Sequence, residues 1–394
     1  MQVNVLVIDS FGIGALPDAG EYGDSGSNTA LHICESIKGN KWANLRNLGL
    51  GNCAELLGFS LPGCEALEKP LASFGVMEER SPGKDTTTGH WELAGIELDA
   101  PFHIFPSEYP SFPDALIKAF KAETKRSVLG NRAASGTVII QELGAEHLAT
   151  GSPIVYTSGD SVFQIAAHEE VIAVEEVYEM CVVARRLCDP YRVGRVIARP
   201  FVGKSGNFTR TSGRRDFSMP PPEDTLLDYL QAAGVDTVGI GKIGDIFCEQ
   251  GLTQSHHDVG NRACLERTFS LLAEETSNSR FVFVNLVDTD MVYGHRRDVQ
   301  GYFDAVSEID DALGVLMNQM PEGDILIVTA DHGCDPTFRG TDHTREHVPL
   351  LWFEKGRSGK NVGVRKSFSD LAQSIAEFYG IKAIARGVSW KQRH

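Results

Sequence analysis

Positive charge is in short supply here: 37 Lys and Arg face 53 Asp and Glu, a formal net charge of −16 at pH 7. That balance excludes a nucleic-acid footprint or an anionic-membrane surface, because both need clustered cations. Long apolar runs are missing too, and no stretch approaches the roughly 18 residues of a membrane span. The start, MQVNVLVIDSFGIG, lacks the basic residues and the small-residue cleavage site of a signal peptide. Eight cysteines in 394 residues, without tight regular spacing, read as reduced thiols of a cytoplasmic protein rather than a disulfide framework. The phosphate-binding pattern GxxxxGK[ST] is absent, as are internal repeats and low-complexity segments. What remains is 42% hydrophobic and 23% charged, enough for a large core. At this length the expectation is two domains, or one large domain carrying an insertion.

Several short apolar runs have the length and composition of buried strands. Val3–Ile8 stops at Asp9, Arg280–Val287 at Asp288 and Asp290, and Asp324–Ala330 at Asp331. A weaker run, Asp236–Gly241, ends near Lys242. Helical periodicity lies at Ala30–Ile37, Thr225–Ala233, Cys264–Glu275 and Tyr302–Met317. This alternation predicts an α/β fold with a mostly parallel central sheet. Open sheets of that kind place their sites beyond the carboxyl ends of the strands. Three strands ending in aspartate already mark a candidate site.

The middle of the chain reads differently. Proline-rich FHIFPSEYPSFPDA (Phe102–Ala115) and SMPPPEDT (Ser218–Thr225) bound a segment with its own strands, near Pro153–Thr157 and Val193–Phe201, and a helix near Val174–Leu187. An inserted α+β cap domain is expected over 101–216, with the core domain divided into 1–100 and 217–394.

The chemistry concentrates in Asp9, Asp290, His295, Asp331, His332 and His343. Imidazoles mixed with carboxylates suit Mn, Zn or Fe rather than a dedicated Ca or Mg site, and six such groups suffice for two ions in one crevice. Taken singly, an aspartate at a strand end is more often a turn or cap, and a lone histidine more often a surface group. The coincidence carries the reading. SPGKDTTTGHWELAG (Ser81–Gly95) offers three consecutive threonines, any of which needs activation to act as a nucleophile. Taken locally, it reads more readily as a helix cap at Thr88. Arg195, Arg199, Arg210, Arg214, Arg215 and Lys242 gather where the insertion returns to the core, and arginine suits bidentate phosphate recognition.

The segments VIDSFGIGALPDA, GKDTTTGHWE, VYTSGDSVFQIAAHEE, GRVIARPFVG, GNFTRT, NLVDTDMVYGHRRDVQGY, TADHGCDP and GTDHTREHVPLL run from residue 6 to about 351. Together they resemble the phosphopentomutase family of the alkaline phosphatase superfamily. The resemblance implies an alkaline-phosphatase-like core, with helices on both faces of its sheet, and two Mn2+ ions. Asp9, Asp331 and His332 would hold one ion, and Asp290, His295 and His343 the other. It selects Thr86 among the three threonines as the phosphorylated nucleophile and leaves His347 outside the site. It brings Ser158, Asp160, Arg195 and Arg210 of the cap, with Lys242 of the core, to a phosphosugar substrate. A sugar bisphosphate (glucose 1,6-bisphosphate or ribose 1,5-bisphosphate) would act as activator, and a monomer is favoured. Two divalent ions and three aspartates leave about +1, which a phosphothreonine reverses, so the cap's arginines are a requirement of this reading. A phosphatase or phosphodiesterase would share every metal ligand, a phosphoglycerate mutase would carry serine in place of threonine, and a non-catalytic metal-binding protein would show no phosphorylated residue.

Overall fold

The apolar runs form the middle of an eight-stranded sheet in the computed structural model, which describes residues 1–39, 41–381 and 384–390. Its strands lie in the order Gln254–His256, Asp236–Ile240, Arg280–Leu286, Gln2–Ile8, Ile325–Thr329, Val348–Glu354, Ser73–Met77 and Asn361–Arg365. The first five pair in parallel, the central ones buried along their whole length, as continuous apolar runs require. Val348–Glu354 runs antiparallel to both its neighbours, and Asn361–Arg365 pairs in parallel with Ser73–Met77. The fold is α/β with a mostly parallel sheet, as the sequence indicates. The strands after residue 340 and the short SFGVM strand escape that reading.

Register sets the position of the site. Val7 pairs with both Asn285 and Thr329, so Asp9 and Asp331 each emerge two residues beyond a shared row of the sheet. Two helix groups cover the sheet. Thr86–Leu93 and Leu226–Ala232 each contact Ser369–Phe378, while Thr29–Ser36, Ala43–Leu48 and Asn261–Ala273 contact the long helix Val299–Gln319. That long helix is capped by Asp298, which accepts from the Gly301 N–H at 2.9 Å. It buries Tyr302, Ala305, Val306, Ile309, Leu313 and Leu316, one stripe at helical spacing. Each large apolar side chain in such a stripe contributes about 1.5–3 kcal/mol. Tyr302 also reaches the first strand's end, its hydroxyl 3.0 Å from Ser10 Oγ. Among the described residues no helix is long and apolar enough to cross a membrane.

The chain divides into two compact units, Met1–Pro101 with Pro221–His394, and Phe102–Pro220. The second unit has its own six-stranded mixed sheet, with Leu129–Ala133, Ile154–Thr157, Val162–His168, Arg195–Lys204 and Asn207–Arg210 in order and Arg215–Ser218 also paired to Arg195–Lys204. Strand alternation divides its core in two. Val155, Phe163, Ile165 and Val196 pack with the helices Asp114–Thr124 and Val174–Cys188, while Ile154, Tyr156 and Ala166 pack with Gly136–Thr150.

Candidate active site

The three aspartates at the strand ends are buried. Asp9 Oδ2 accepts from Asn285 Nδ2 at 2.8 Å, and Asp331 Oδ1 accepts from the Ser10 N–H at 3.0 Å. Asp290 lies on a π-helical turn, Thr289–Tyr293, just past its strand, a wider turn of a kind found mostly at functional positions. One oxygen of each carboxylate (Asp9 Oδ1, Asp290 Oδ1, Asp331 Oδ2) is buried without a well-formed hydrogen bond among the described residues. Such atoms need a partner of another kind.

The imidazoles are turned to supply it. His332 Nδ1 donates to Gly333 O at 3.1 Å, His343 Nδ1 to Lys84 O at 2.8 Å, and His295 Nδ1 to Thr341 O at 2.6 Å. Each bond fixes the tautomer and leaves Nε2 as the free lone pair, the outer-shell arrangement of metal-bound histidine. The Nε2 atoms point at the acids. His332 Nε2 is 3.3 Å from Asp331 Oδ2 and 3.6 Å from Asp9 Oδ1, His343 Nε2 is 3.2 Å from Asp290 Oδ1, and His295 Nε2 is 3.4 Å from Asp290 Oδ2. His343 and His295 bring their Nε2 atoms within 3.2 Å of each other. Two lone pairs at that distance repel unless a proton or cation sits between them.

Ligand atoms within 4.8 Å of one another occur in three groups among the described residues: Asp9, Asp331 and His332; Asp290, His332 and His343; and Asp290, His295 and Cys334. The donor set fits two divalent transition ions. All six expected ligands are brought together, with His332 and His343 rings stacked at 3.9 Å and His343 and His295 at 4.8 Å.

Thr86 opens the helix Thr86–Leu93 and places its Oγ1 3.2 Å from His332 Nε2. The expected cap at Thr88 is corrected: Asp85 is the N-cap, accepting from the Thr88 N–H at 3.1 Å and from Thr88 Oγ1 at 2.6 Å. The Asp85 carboxylate outcompetes a hydroxyl for the free N–H groups, which puts Thr86 in the first turn, where the helix dipole favours an anion. Gly89 lets this helix approach the sheet, since a Cβ there would meet Asp331 O at 2.2 Å.

Electrostatics follow from burial and crowding. Burial first, then the Asp331 and Asp290 charges, push the Asp9 carboxyl well above its usual range, with Lys242 acting against them. Burial also opposes charge on Asp331, but His332 and His90 outweigh it and hold that carboxyl below its ordinary value. Desolvation also opposes charge on the half-buried His343, yet Asp290 prevails and raises it to about 9. Without a cation, this cluster holds a proton at neutral pH.

In the second unit, Arg195 and Arg210 are half-buried, Ser158 likewise, and Asp160 is exposed. Arg195 Nη2 is 3.9 Å from Asp160 Oδ2 and Nη1 3.6 Å from Asp216 Oδ2. Arg210 closes the strand Asn207–Arg210 with its Nε buried and without a hydrogen-bond partner among the described residues.

The metalloenzyme superfamily model matches residues 1–383. A phosphopentomutase of Anaeromyxobacter sp. (strain K) is 51% identical over 380 residues, 96% of this chain and 95% of that relative. The chain belongs to the phosphopentomutase family of isomerases. Phosphopentomutases of Alkaliphilus oremlandii and Caldanaerobacter subterraneus subsp. tengcongensis are 47% and 49% identical, each covering 99% of this chain and 98% and 97% of their own length.

Several groups around this phosphopentomutase-family site escape the sequence reading. His90 Nδ1 lies 2.9 Å from Thr86 O and 3.1 Å from Asp331 Oδ2, beneath nucleophile candidate and acid alike. Arg345, 2% exposed, donates to Glu79, Ser81 and Gly83 carbonyls at 2.8, 2.8 and 2.6 Å and pairs with the Glu79 and Asp18 carboxylates. It thereby ties the turn before Thr86 to the strand after His343. Glu346 accepts from Thr29 N, Thr29 Oγ1 and Thr344 Oγ1, and burial raises its carboxyl to about 7. Only Asn285 left a signal, one amide within an apolar strand.

Proposed function

We propose that the chain interconverts ribose 1-phosphate, or its 2-deoxy analogue, and the 5-phosphate. The phosphoryl group on Thr86 passes to the sugar 5-hydroxyl, giving a 1,5-bisphosphate. The sugar reorients, its 1-phosphoryl group returns to Thr86 Oγ1, and the 5-phosphate leaves. A sugar bisphosphate (ribose 1,5- or glucose 1,6-bisphosphate) phosphorylates Thr86 at the outset. Asp9, Asp331 and His332 are assigned one Mn2+, and Asp290, His295 and His343 the other. Such ions supply Lewis-acid charge for phosphoryl oxygens and for the hydroxyl that enters or leaves in line.

The protein's own groups do the positioning. The first turn of Thr86–Leu93 presents N–H groups toward an anion on Thr86. His90 holds the Thr86 carbonyl, and Asn285 holds Asp9. Ser158, Asp160, Arg195 and Arg210 bind sugar and phosphate, and Lys242 adds positive charge near Asp9. The substrate is a small phosphosugar, and the protein acts as a cytoplasmic monomer.

One observation carries this reading: three imidazoles, each anchored through Nδ1, aim Nε2 at three buried carboxylates, with Thr86 Oγ1 3.2 Å from the Nε2 of His332. Incubation with ribose 1-phosphate tests it. Ribose 5-phosphate as product supports the mutase, whereas stoichiometric free phosphate would make the protein a hydrolase on the same ligands.

A further inference from the structure

Cys334 follows His332 and Gly333 in the loop after the Ile325–Thr329 strand and is 1% exposed. Its backbone is fixed, the N–H donating to Ser10 O at 3.1 Å and to Thr29 Oγ1 at 3.2 Å. The sulfur makes only a weak contact, 3.7 Å to Asp342 O. Its ligand distance to Asp290 and His295 is the notable feature, since all three donor atoms fall within 4.8 Å of one another. Asp290 is 5% exposed, and its Oδ1 is among the buried carboxylate oxygens without a well-formed hydrogen bond. Gly294 makes room for the sulfur, because a Cβ there would meet Cys334 Sγ at 2.9 Å.

We propose that Cys334, with Asp290 and His295, forms a soft-ion site at the second cation position, binding Zn2+ or Cd2+ through its sulfur where Mn2+ takes His343. The proposal rests on the two-cation reading above. Hard manganese prefers carboxylate and imidazole, while cadmium and zinc accept thiolate. Coordination replaces the S–H bond by a sulfur–metal bond, the thiol proton leaves to solvent, and no electron changes hands. The position thus distinguishes ions by which side chain it turns toward them, and a soft ion lodged there would displace manganese.

The test uses the full-length protein, loaded with Mn2+ and titrated with Cd2+ while bound metal and near-ultraviolet absorption are followed. Cys334→Ser and Cys334→Ala are run alongside. Expected are two Mn2+ bound in all three proteins and a sulfur-to-cadmium charge-transfer band in the parent only. Both variants should also lose cadmium affinity by about 10-fold or more. Two Mn2+ bound, with no band in the parent or a band that persists in both variants, overturns the role of Cys334 and leaves the two-cation reading intact. Fewer than one Mn2+ bound overturns both.

Discussion

The two units hold their charged groups in opposite ways. In the first, Asp9 and Asp331 are 0% exposed and His332 1%, and each is locked by a backbone or amide hydrogen bond. In the second, Arg195 and Arg210 are half-buried, Arg195 reaches two acids only at 3.6–3.9 Å, and Arg210 Nε has no hydrogen-bond partner among the described residues. Under the proposed function, groups that fix cations and a nucleophile should be rigid before any ligand arrives, because rearrangement during reaction would cost what preorganisation saves. Under the same proposal, groups that receive an anion should keep donors in reserve, as Arg210 Nε does. The first unit should therefore govern turnover and metal content, and the second unit substrate use.

The sharpest break of that division is Thr86→Ala. Turnover should fall by about 10^4-fold or more while bound metal stays at two ions, measured by steady-state rates and metal analysis. Full activity in this variant would remove the nucleophile from the account. Asn285→Ala, which deletes the Asp9 partner, should weaken manganese binding by about 10- to 100-fold. Unchanged affinity would show the Asp9 hydrogen bond to be dispensable. Arg210→Ala probes the other side: kcat/KM for the phosphosugar should drop by about 10- to 100-fold with metal affinity untouched, the loss of a charged hydrogen bond. A loss of metal with Arg210 would erase the contrast between the units.

A last test of the first unit is in pH. His343 is raised to about 9 in the metal-free protein, so below that value an ion must displace its proton. Manganese affinity should then rise with pH by up to about tenfold per unit and level off above about pH 9. A flat profile between about pH 6 and 8 would mean that His343 is not a ligand.

Much of the scaffold was legible because the strands around the site are buried on both faces and so are apolar throughout, each ending abruptly in an acid. The three candidate aspartates stood out for the same reason, as charges following apolar runs. The hidden parts depend on partners far along the chain. Thr344, Arg345, Glu346 and His347 form a run of polar residues, yet all are buried, because Asp18, Glu79, Thr29 and main-chain carbonyls satisfy them. Nothing local in GTDHTREH announces those partners. The cap read at Thr88 fell three residues late because a run of polar residues offers several acceptors, and only the fold shows that the Asp85 carboxylate takes the Thr88 N–H. Prolines mark off the middle of the chain in the sequence, but which arginine keeps a free donor is a matter of tertiary contacts.

The central claim is that one hydroxyl carries the phosphoryl group between two positions of a sugar. Peptide mass spectrometry of the protein after treatment with ribose 1,5-bisphosphate, before and after adding excess ribose 1-phosphate, reads it directly. Phosphate should appear on Thr86 alone and exchange into the sugar pool. Phosphate on Thr87 or Thr88, or none on any threonine of an active protein, would contradict the account.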